Sequence, residues 1–374
     1  MAHSDSRAAS GSQARLDTGG LAKTVASHYN NIEERGAQFR KESPIYYMRN
    51  LNNWIKSQLI NQYTRKIEIK KREKGESPGI TVLDLGCGKG GDLLKWQKAR
   101  VDHVVCCDIA GLSVEQCQDR YDQNRRRNRH IYSAEFHTAD CTRDRLIDVY
   151  EDPDTYFDLV SCQFAFHYCF ESLPQAERML QNAAERLKKG GFFIGTTPDA
   201  NDIVNRAREF GQRVKGDDGD EVIRFGNDIF SIAVPMKWME PSHQIPIFGA
   251  KYDFHLEGVV DCPEFLVHFP TLTKLAEKYG LILVAKRRFA NYFQECQKTD
   301  MEGERLLCKM KALESFPGHE EFSEEKKSNY QHAVDACRKL KEEQNESRSP
   351  IIGTLSRMEW EAASIYVIFA FMKI

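Results

Sequence analysis

Thr81-Val82-Leu83-Asp84-Leu85-Gly86-Cys87-Gly88-Lys89-Gly90-Gly91 is an apolar run that stops at an acid and opens into a glycine-rich turn. Leu93, Leu94 and Trp96 then begin a helix-like pattern. A strand feeding such a turn lets a ligand lie against bare backbone, because glycine has no Cβ to block it. The next apolar run, Val101 to Ile109, also reaches an acid, Asp108. It lies about twenty residues past the turn, where a ribose hydroxyl pair is gripped. Together these two strand ends point to an adenosine-containing ligand.

Gly86, Gly88 and Gly91 satisfy G-x-G-x-x-G, which formally allows a nicotinamide or flavin dinucleotide and is weak evidence alone. Asp84, two residues before the first glycine, would face a dinucleotide's pyrophosphate with like charge. It suits a cationic ligand such as the sulfonium and amino group of S-adenosylmethionine. Asp-x-Gly-x-Gly-x-Gly followed by a second acid resembles the class I methyltransferases. Phe136 to Asp140 is a third strand-like run ending in an acid, where these enzymes hold the adenine amino group. Phe157 to Tyr168 is a fourth, rich in aromatics, where their acceptor site begins. The resemblance implies an α/β, Rossmann-like fold: a seven-stranded, mostly parallel sheet flanked by helices, with insertions after strands 5 and 6.

A chain of 374 residues, 41% hydrophobic, can hold one large domain with insertions or two domains. Its formal net charge of -2 means that any nucleic-acid binding rests on local patches. The eleven cysteines include no C-x-x-C pair. They read as buried small residues of a reducing compartment, not as disulfides or zinc ligands, so no metal site is expected. No run reaches membrane-span length, and the N-terminus carries no apolar signal core.

Residues 1–24 read as a disordered tail and 25–374 as one domain, with insertions at roughly 199–260 and 295–350. Leu51, Trp54, Ile55 and Leu59 share a helical face, and Lys66 to Lys74 reads as a basic connector. Val82–Leu85, Val104–Cys107, Ala134–Thr138, Leu159–Phe164 and Phe192–Thr196 are the expected parallel strands. An amphipathic helix is expected from Pro174 to Gly190-Gly191, and a hairpin within Val222 to Val234, turning at Gly226-Asn227. From Lys251 to Gly258, Tyr252, Phe254 and Leu256 face one way and Asp253, His255 and Glu257 the other. Leu281 to Phe289 and Ile365 to Met372 are two further strands, with a charged helical lobe at 295–350 between them.

Neither an Asn/Asp-Pro-Pro-aromatic motif nor a Pro-Cys pair is present, so the acceptor needs no covalent activation. Arg49 to Lys56, Leu83 to Trp96, Cys162-Gln163-Phe164 with His167-Tyr168, Phe248-Gly249 with Lys251 to Asp261, and Trp360-Glu361 with Ser364 to Phe371 resemble eukaryotic mRNA cap guanine-N7 methyltransferases. The resemblance covers roughly 25–374 and departs in 199–221 and 295–350. It implies S-adenosylmethionine as cofactor, held by Lys56, Gly86, Asp108, Asp140, Gln163 and Tyr168, with Asp108 on the ribose. It implies a cap held by Asn52, Asn53, Lys89, Lys95, Arg120, His167, Glu257 and Tyr366. Glu257 would read the guanine N1–H and amine, and Lys89, Lys95 and Arg120 would meet the triphosphate. No residue is expected to act as acid or base; Glu257, His167 and Tyr366 orient. Capped RNA is the implied partner, with a small activating subunit, an import receptor and the capping machinery, in the nucleus and away from membranes. Rival readings are a small-molecule or protein methyltransferase, a dinucleotide oxidoreductase disfavoured by Asp84, and an RNA-binding scaffold that retains the cofactor.

Overall fold

The computed structural model describes residues 19–31, 41–216, 219–299, 301–317, 324–344 and 350–374. Helix α1 (Gly19–Asn31) and the long helix α2 (Tyr46–Lys74) precede the sheet. Then come β1 (Thr81–Leu85), α3 (Leu93–Lys98), β2 (His103–Asp108), α4 (Gly111–Arg127), β3 (Ser133–Thr138), β4 (Phe157–Gln163), α5 (Leu173–Ala184), β5 (Leu187–Pro198) and α6 (Ala200–Phe210). A block of strands follows: β6 (Gln212–Lys215), β7 (Glu221–Asn227), β8 (Phe230–Pro235), β9 (Lys251–Leu256) and β10 (Val260–Phe265). The chain closes with α7 (Phe269–Lys278), β11 (Leu281–Arg288), α8 (Phe289–Thr299), α9 (Met301–Lys309), β12 (Glu314–Phe316), α10 (Glu324–Asn329), α11 (Gln331–Gln344), β13 (Ile352–Thr354), α12 (Arg357–Ala363) and β14 (Tyr366–Lys373).

The main sheet has seven strands in the order β11-β14-β5-β4-β1-β2-β3. Strands β1 to β5 pair in parallel, while β14 runs antiparallel to both neighbours. This is the Rossmann-like α/β class. Both faces are covered, so the central strands are continuous apolar runs. Val82, Val104, Leu159, Ile194 and Ile368 pack on the α2 side, and Leu83, Val105, Val160, Phe193 and Phe369 on the other. The strand block β10-β9-β8-β7-β6 is a separate antiparallel sheet inserted after β5. In β9, Tyr252, Phe254 and Leu256 are buried, as their alternation implies. Among the described residues of 295–350 are the helices α9, α10 and α11 and the strand β12, which pairs with β13. Those residues include no helix long and apolar enough to cross a membrane.

Four local readings are corrected. Residues 19–24, expected in the tail, belong to α1; residues 1–18 lie outside the described residues. Lys66 to Lys74 is the last part of α2, because Ile67 and Lys71 turn inward and the Lys71 ammonium meets Asp158 Oδ1 at 2.8 Å. Helix α5 ends at Ala184, and Gly190-Gly191 falls where β5 bulges against β4. The hairpin turns one pair later than expected, at Asp228-Ile229, because Asn227 Oδ1 accepts from the Ile229 N–H and closes the turn.

Candidate functional site

One cavity of about 350 Å³ lies over the carboxyl ends of β1, β2 and β4, where open parallel sheets bind ligands. Its volume is within the roughly 300–1,000 Å³ of small-molecule sites. It is roofed by α1 through Leu21, Ala22, Val25 and Tyr29, and flanked by the inserted sheet through Leu256, Val260 and Glu264.

The floor follows from backbone geometry. Gly86 leaves β1 at φ 73°, and a Cβ there would sit 2.7 Å from the Ala165 Cβ. Only glycine serves both demands. Asp108 ends β2 and binds the loop to itself: Oδ2 accepts from the Gly88 N–H at 2.8 Å and Oδ1 from the Ala110 N–H at 2.9 Å. Burial pushes its carboxyl up, against the pull of those two N–H groups. Asp140 follows β3 and accepts from the Thr142 N–H and hydroxyl at 2.9 and 2.6 Å. Gln163 ends β4; its Nε2 donates to Ser161 Oγ at 3.1 Å, while its buried Oε1 has no partner.

Lys56, Gly86, Asp108, Asp140, Gln163 and Tyr168 all line this cavity, as do Asn52, His167 and Tyr366. Tyr168 shares a 3.1 Å hydrogen bond with the Tyr29 hydroxyl and lies 3.3 Å from Cys262 Sγ. Burial holds the Tyr29, Tyr168 and Tyr366 hydroxyls well above the usual phenol range, so all three are neutral. Lys56 pairs with buried Asp92 at 2.7 Å.

The other five cap candidates, Asn53, Lys89, Lys95, Arg120 and Glu257, do not line it. Lys89 stands in the glycine turn and Arg120 on α4, both half-buried. Lys95 is buried, and its ammonium meets Asn53 Oδ1 at 2.9 Å, Gly91 O at 2.8 Å and Asp92 Oδ1 at 2.8 Å. Two hydrogen bonds and an ion pair hold that ammonium, so it braces α2 against the loop instead of reaching for phosphate. Asn53 is the other end of that brace.

Glu257 is the main correction. Its side chain is 53% exposed, in the turn after β9, and does not line the cavity. The carboxylate that does is Glu264 on β10, buried, with Oε2 accepting from the Tyr252 hydroxyl at 2.6 Å. Oε1 lies 3.2 Å from His167 Nε2, in an alignment that makes no hydrogen bond, so that oxygen and both ring nitrogens keep capacity. Asp84 is also corrected: its Oδ2 accepts from Trp96 Nε1 at 3.1 Å beneath the loop, away from the cavity. Sequence reasoning missed Glu264, Tyr29 and Asp92. Alternation along Val260, Cys262 and Glu264 was the signal that could have found the first.

The residues suit S-adenosylmethionine. A glycine cradle, a strand-end acid at ribose position, and the partnerless Gln163 Oε1 and Asn52 Oδ1 are a donor-seeking set in a site of the right size. Comparison with known proteins agrees. The family description "mRNA (guanine-N(7))-methyltransferase domain" matches residues 13–374. An mRNA cap guanine-N(7) methyltransferase of Drosophila melanogaster is 49% identical over 95% of this chain and 78% of its own length. The Caenorhabditis briggsae enzyme of that name is 41% identical over 94% and 87%. The Oryza sativa enzyme numbered 1 is 37% identical over 94% and 81%. With the fold, the cavity and the sequence agreeing, the chain belongs to the mRNA (guanine-N7)-methyltransferase family.

Proposed function

We propose that the cavity holds S-adenosylmethionine against its glycine floor and the cap guanine between Glu264, His167 and Tyr366, so that N7 meets the methyl group in line. The activity follows from family membership: methyl transfer from S-adenosylmethionine to N7 of the terminal guanine of capped mRNA. The assignment of residues to it is our reading.

When bound, the cofactor supplies an electrophilic methyl group on a sulfonium sulfur. Guanine N7 carries a free lone pair, so no residue has to remove a proton. What this chain contributes is orientation and exclusion of water, which is worth on the order of 7–11 kcal/mol. Asp108 and Gln163 receive the ribose side, Asp140 the adenine side, and Lys56 and Asn52 flank the reacting centre from α2. Glu264 reads the guanine: a carboxylate accepts from N1–H and the exocyclic amine together and leaves N7 facing the donor. The observation that carries this is a buried carboxylate with an uncommitted oxygen beside an unpartnered histidine in the same cavity as the cofactor set. Neutral Tyr366, packed edge-to-face on Phe164 at 4.9 Å, gives the base a flat wall.

Lys89 and Arg120 are assigned to the triphosphate bridge on the family resemblance and their charge, and Lys95 and Asn53 are positioning residues. Capped RNA is the partner under this reading. An activating subunit, an import receptor, the capping machinery and a nuclear setting belong to it as proposals that rest on the family alone. The test is incubation with methyl-labelled cofactor and GpppA-ended or triphosphate-ended RNA, then digestion. Label in 7-methylguanosine from capped RNA only, reduced about ten- to hundredfold in Glu264→Gln while cofactor binding persists, supports the reading. Full turnover by Glu264→Gln overturns it.

A further inference from the structure

The eleven cysteines have no metal-like spacing in sequence, yet folding gathers three of them. Cys87 lies in the glycine-rich turn, Cys106 in β2 and Cys117 on α4. Their sulfur atoms all lie within 4.8 Å of one another, and all three residues are buried. The trio sits directly beneath the cofactor loop. A Cβ at Gly90 would come 2.9 Å from the Cys117 sulfur. Cys87 itself is flanked by Gly86, which lines the cavity, and Gly88, whose N–H is held by Asp108.

We propose that Cys87, Cys106 and Cys117 form a three-thiolate site for a thiophilic divalent cation of the Zn²⁺ class, and that its occupation opposes cofactor binding. Three soft sulfur donors select such ions over hard ones. Metal–sulfur bonds of about 2.3 Å set sulfurs roughly 3.8 Å apart, so the trio needs only a small contraction. The three sulfurs already face one another in the buried cluster, and Arg120 stands one turn along α4 from Cys117. Binding of the ion releases the three thiol protons, from Cys87, Cys106 and Cys117, to water. Three thiolates and a divalent ion leave one negative charge, which Arg120 offsets. Cys87, 8% exposed, is the least buried of the three and marks the way in.

The coupling follows from the contraction. Drawing Cys87 toward Cys106 and Cys117 moves the turn away from the cavity and strains the Gly88 N–H to Asp108 bond. That bond sets the ribose acid. Cofactor affinity then falls on the order of tenfold, and by linkage cofactor weakens the ion by the same factor.

Cd²⁺ is the probe, added to full-length protein kept reduced with a phosphine. The expected result is one equivalent bound with a thiolate-to-cadmium charge-transfer band, three sulfur neighbours by X-ray absorption, and weaker S-adenosylmethionine binding by calorimetry. Cys106→Ala and Cys117→Ala should each lose the tight equivalent, while Cys308→Ser, at an exposed thiol, keeps it. Should those variants fail to fold, the reciprocal experiment on unmodified protein decides: saturating cofactor must shift the cadmium isotherm about tenfold. Fewer than three sulfurs, loss of the band in Cys308→Ser, or two isotherms indifferent to each other would overturn the proposal.

Discussion

Two glutamates seven positions apart separate what a strand pattern can and cannot say about a residue. Glu257 shares a strand face with Asp253 and His255, opposite the buried Tyr252, Phe254 and Leu256, and the fold leaves it in solvent. Glu264 faces inward on the neighbouring strand, because β10 pairs antiparallel to β9 with Glu264 opposite Tyr252. The roles are therefore expected to divide cleanly. Glu264→Gln keeps the shape but turns one acceptor into a donor against the guanine edge. It should cost about 1–3 kcal/mol of guanine recognition, roughly ten- to hundredfold in kcat/KM for capped RNA. Calorimetry should find cofactor affinity nearly unchanged. Glu257→Ala should leave both within about twofold, as an exposed substitution does; collapse of cap turnover in that variant would return the role to Glu257. Lys95 makes a pH-dependent case. Burial pushes its ammonium down to about 8, against Asp92, from an ordinary 10.5. Between those values the unfolded chain holds a proton that the folded chain has released, so its contribution to stability rises with pH through that window. Function should move the opposite way. The neutral amine loses its ion pair with Asp92, and the brace from Asn53 to the glycine loop loosens. The KM for capped RNA should rise from about pH 7 to about pH 9, and Lys95→Met should hold a flat profile at the weaker level. A wild-type profile no steeper than that of Lys95→Met would remove Lys95 from the brace.

At the scale of elements, helix α1 is the part with the most leverage for its length. It carries four cavity residues and ties to the core through Tyr29 and Tyr168. A chain lacking residues 1–31 exposes the cavity's apolar wall. It should bind S-adenosylmethionine on the order of tenfold more weakly, since enclosure and not new charge is what α1 supplies. Tyr29→Phe should cost only the one hydroxyl contact, about 0.5–1.5 kcal/mol; isothermal titration of both variants separates lid from hydrogen bond. Equal affinity in the truncated chain would show that α1 is ornamental to the cofactor. The same elements show what was legible beforehand. The β1 turn, Asp108 and Asp140 could be read because each lies at the end of an apolar strand run, whereas Gln163 came only from the family resemblance. The signal was local. Glu264 could not, because its place depends on which strand β10 pairs with, and Pro263 inside that strand argues against a strand at all. Helix α1 was hidden by the polar residues around it. Its reason to be helical is tertiary: Val25 and Leu21 find the cavity and the core only once the sheet exists. Asp84 misled for a related reason. An acid beside a glycine turn looks ligand-facing, but Trp96, one helix turn into α3, claims it.

The whole molecule builds its site from parts far apart in sequence: α1, α2, four strand ends of the main sheet, and the inserted sheet. Elements of the insert also touch the end of the chain, for Asn227 Nδ2 donates to Glu361 Oε2 at 3.0 Å, and buried Glu359 on α12 accepts from the Met48 N–H of α2 at 3.0 Å. The insert is thereby tied through α12 to α2, besides meeting the main sheet at the cavity. One core should then unfold as one. Calorimetric melting should give a single transition, and S-adenosylmethionine at a hundred times its Kd should raise stability by about 2.7 kcal/mol across that whole transition. A cap analogue added next should shift the same peak further, because Glu264 from the insert and Asp108 from the main sheet serve one ligand pair. Two peaks, of which cofactor moves only one, would mean that the inserted sheet folds on its own. Glu264 would then reach the guanine by docking after binding, and the rate of cap methylation, not its affinity, would carry the cost.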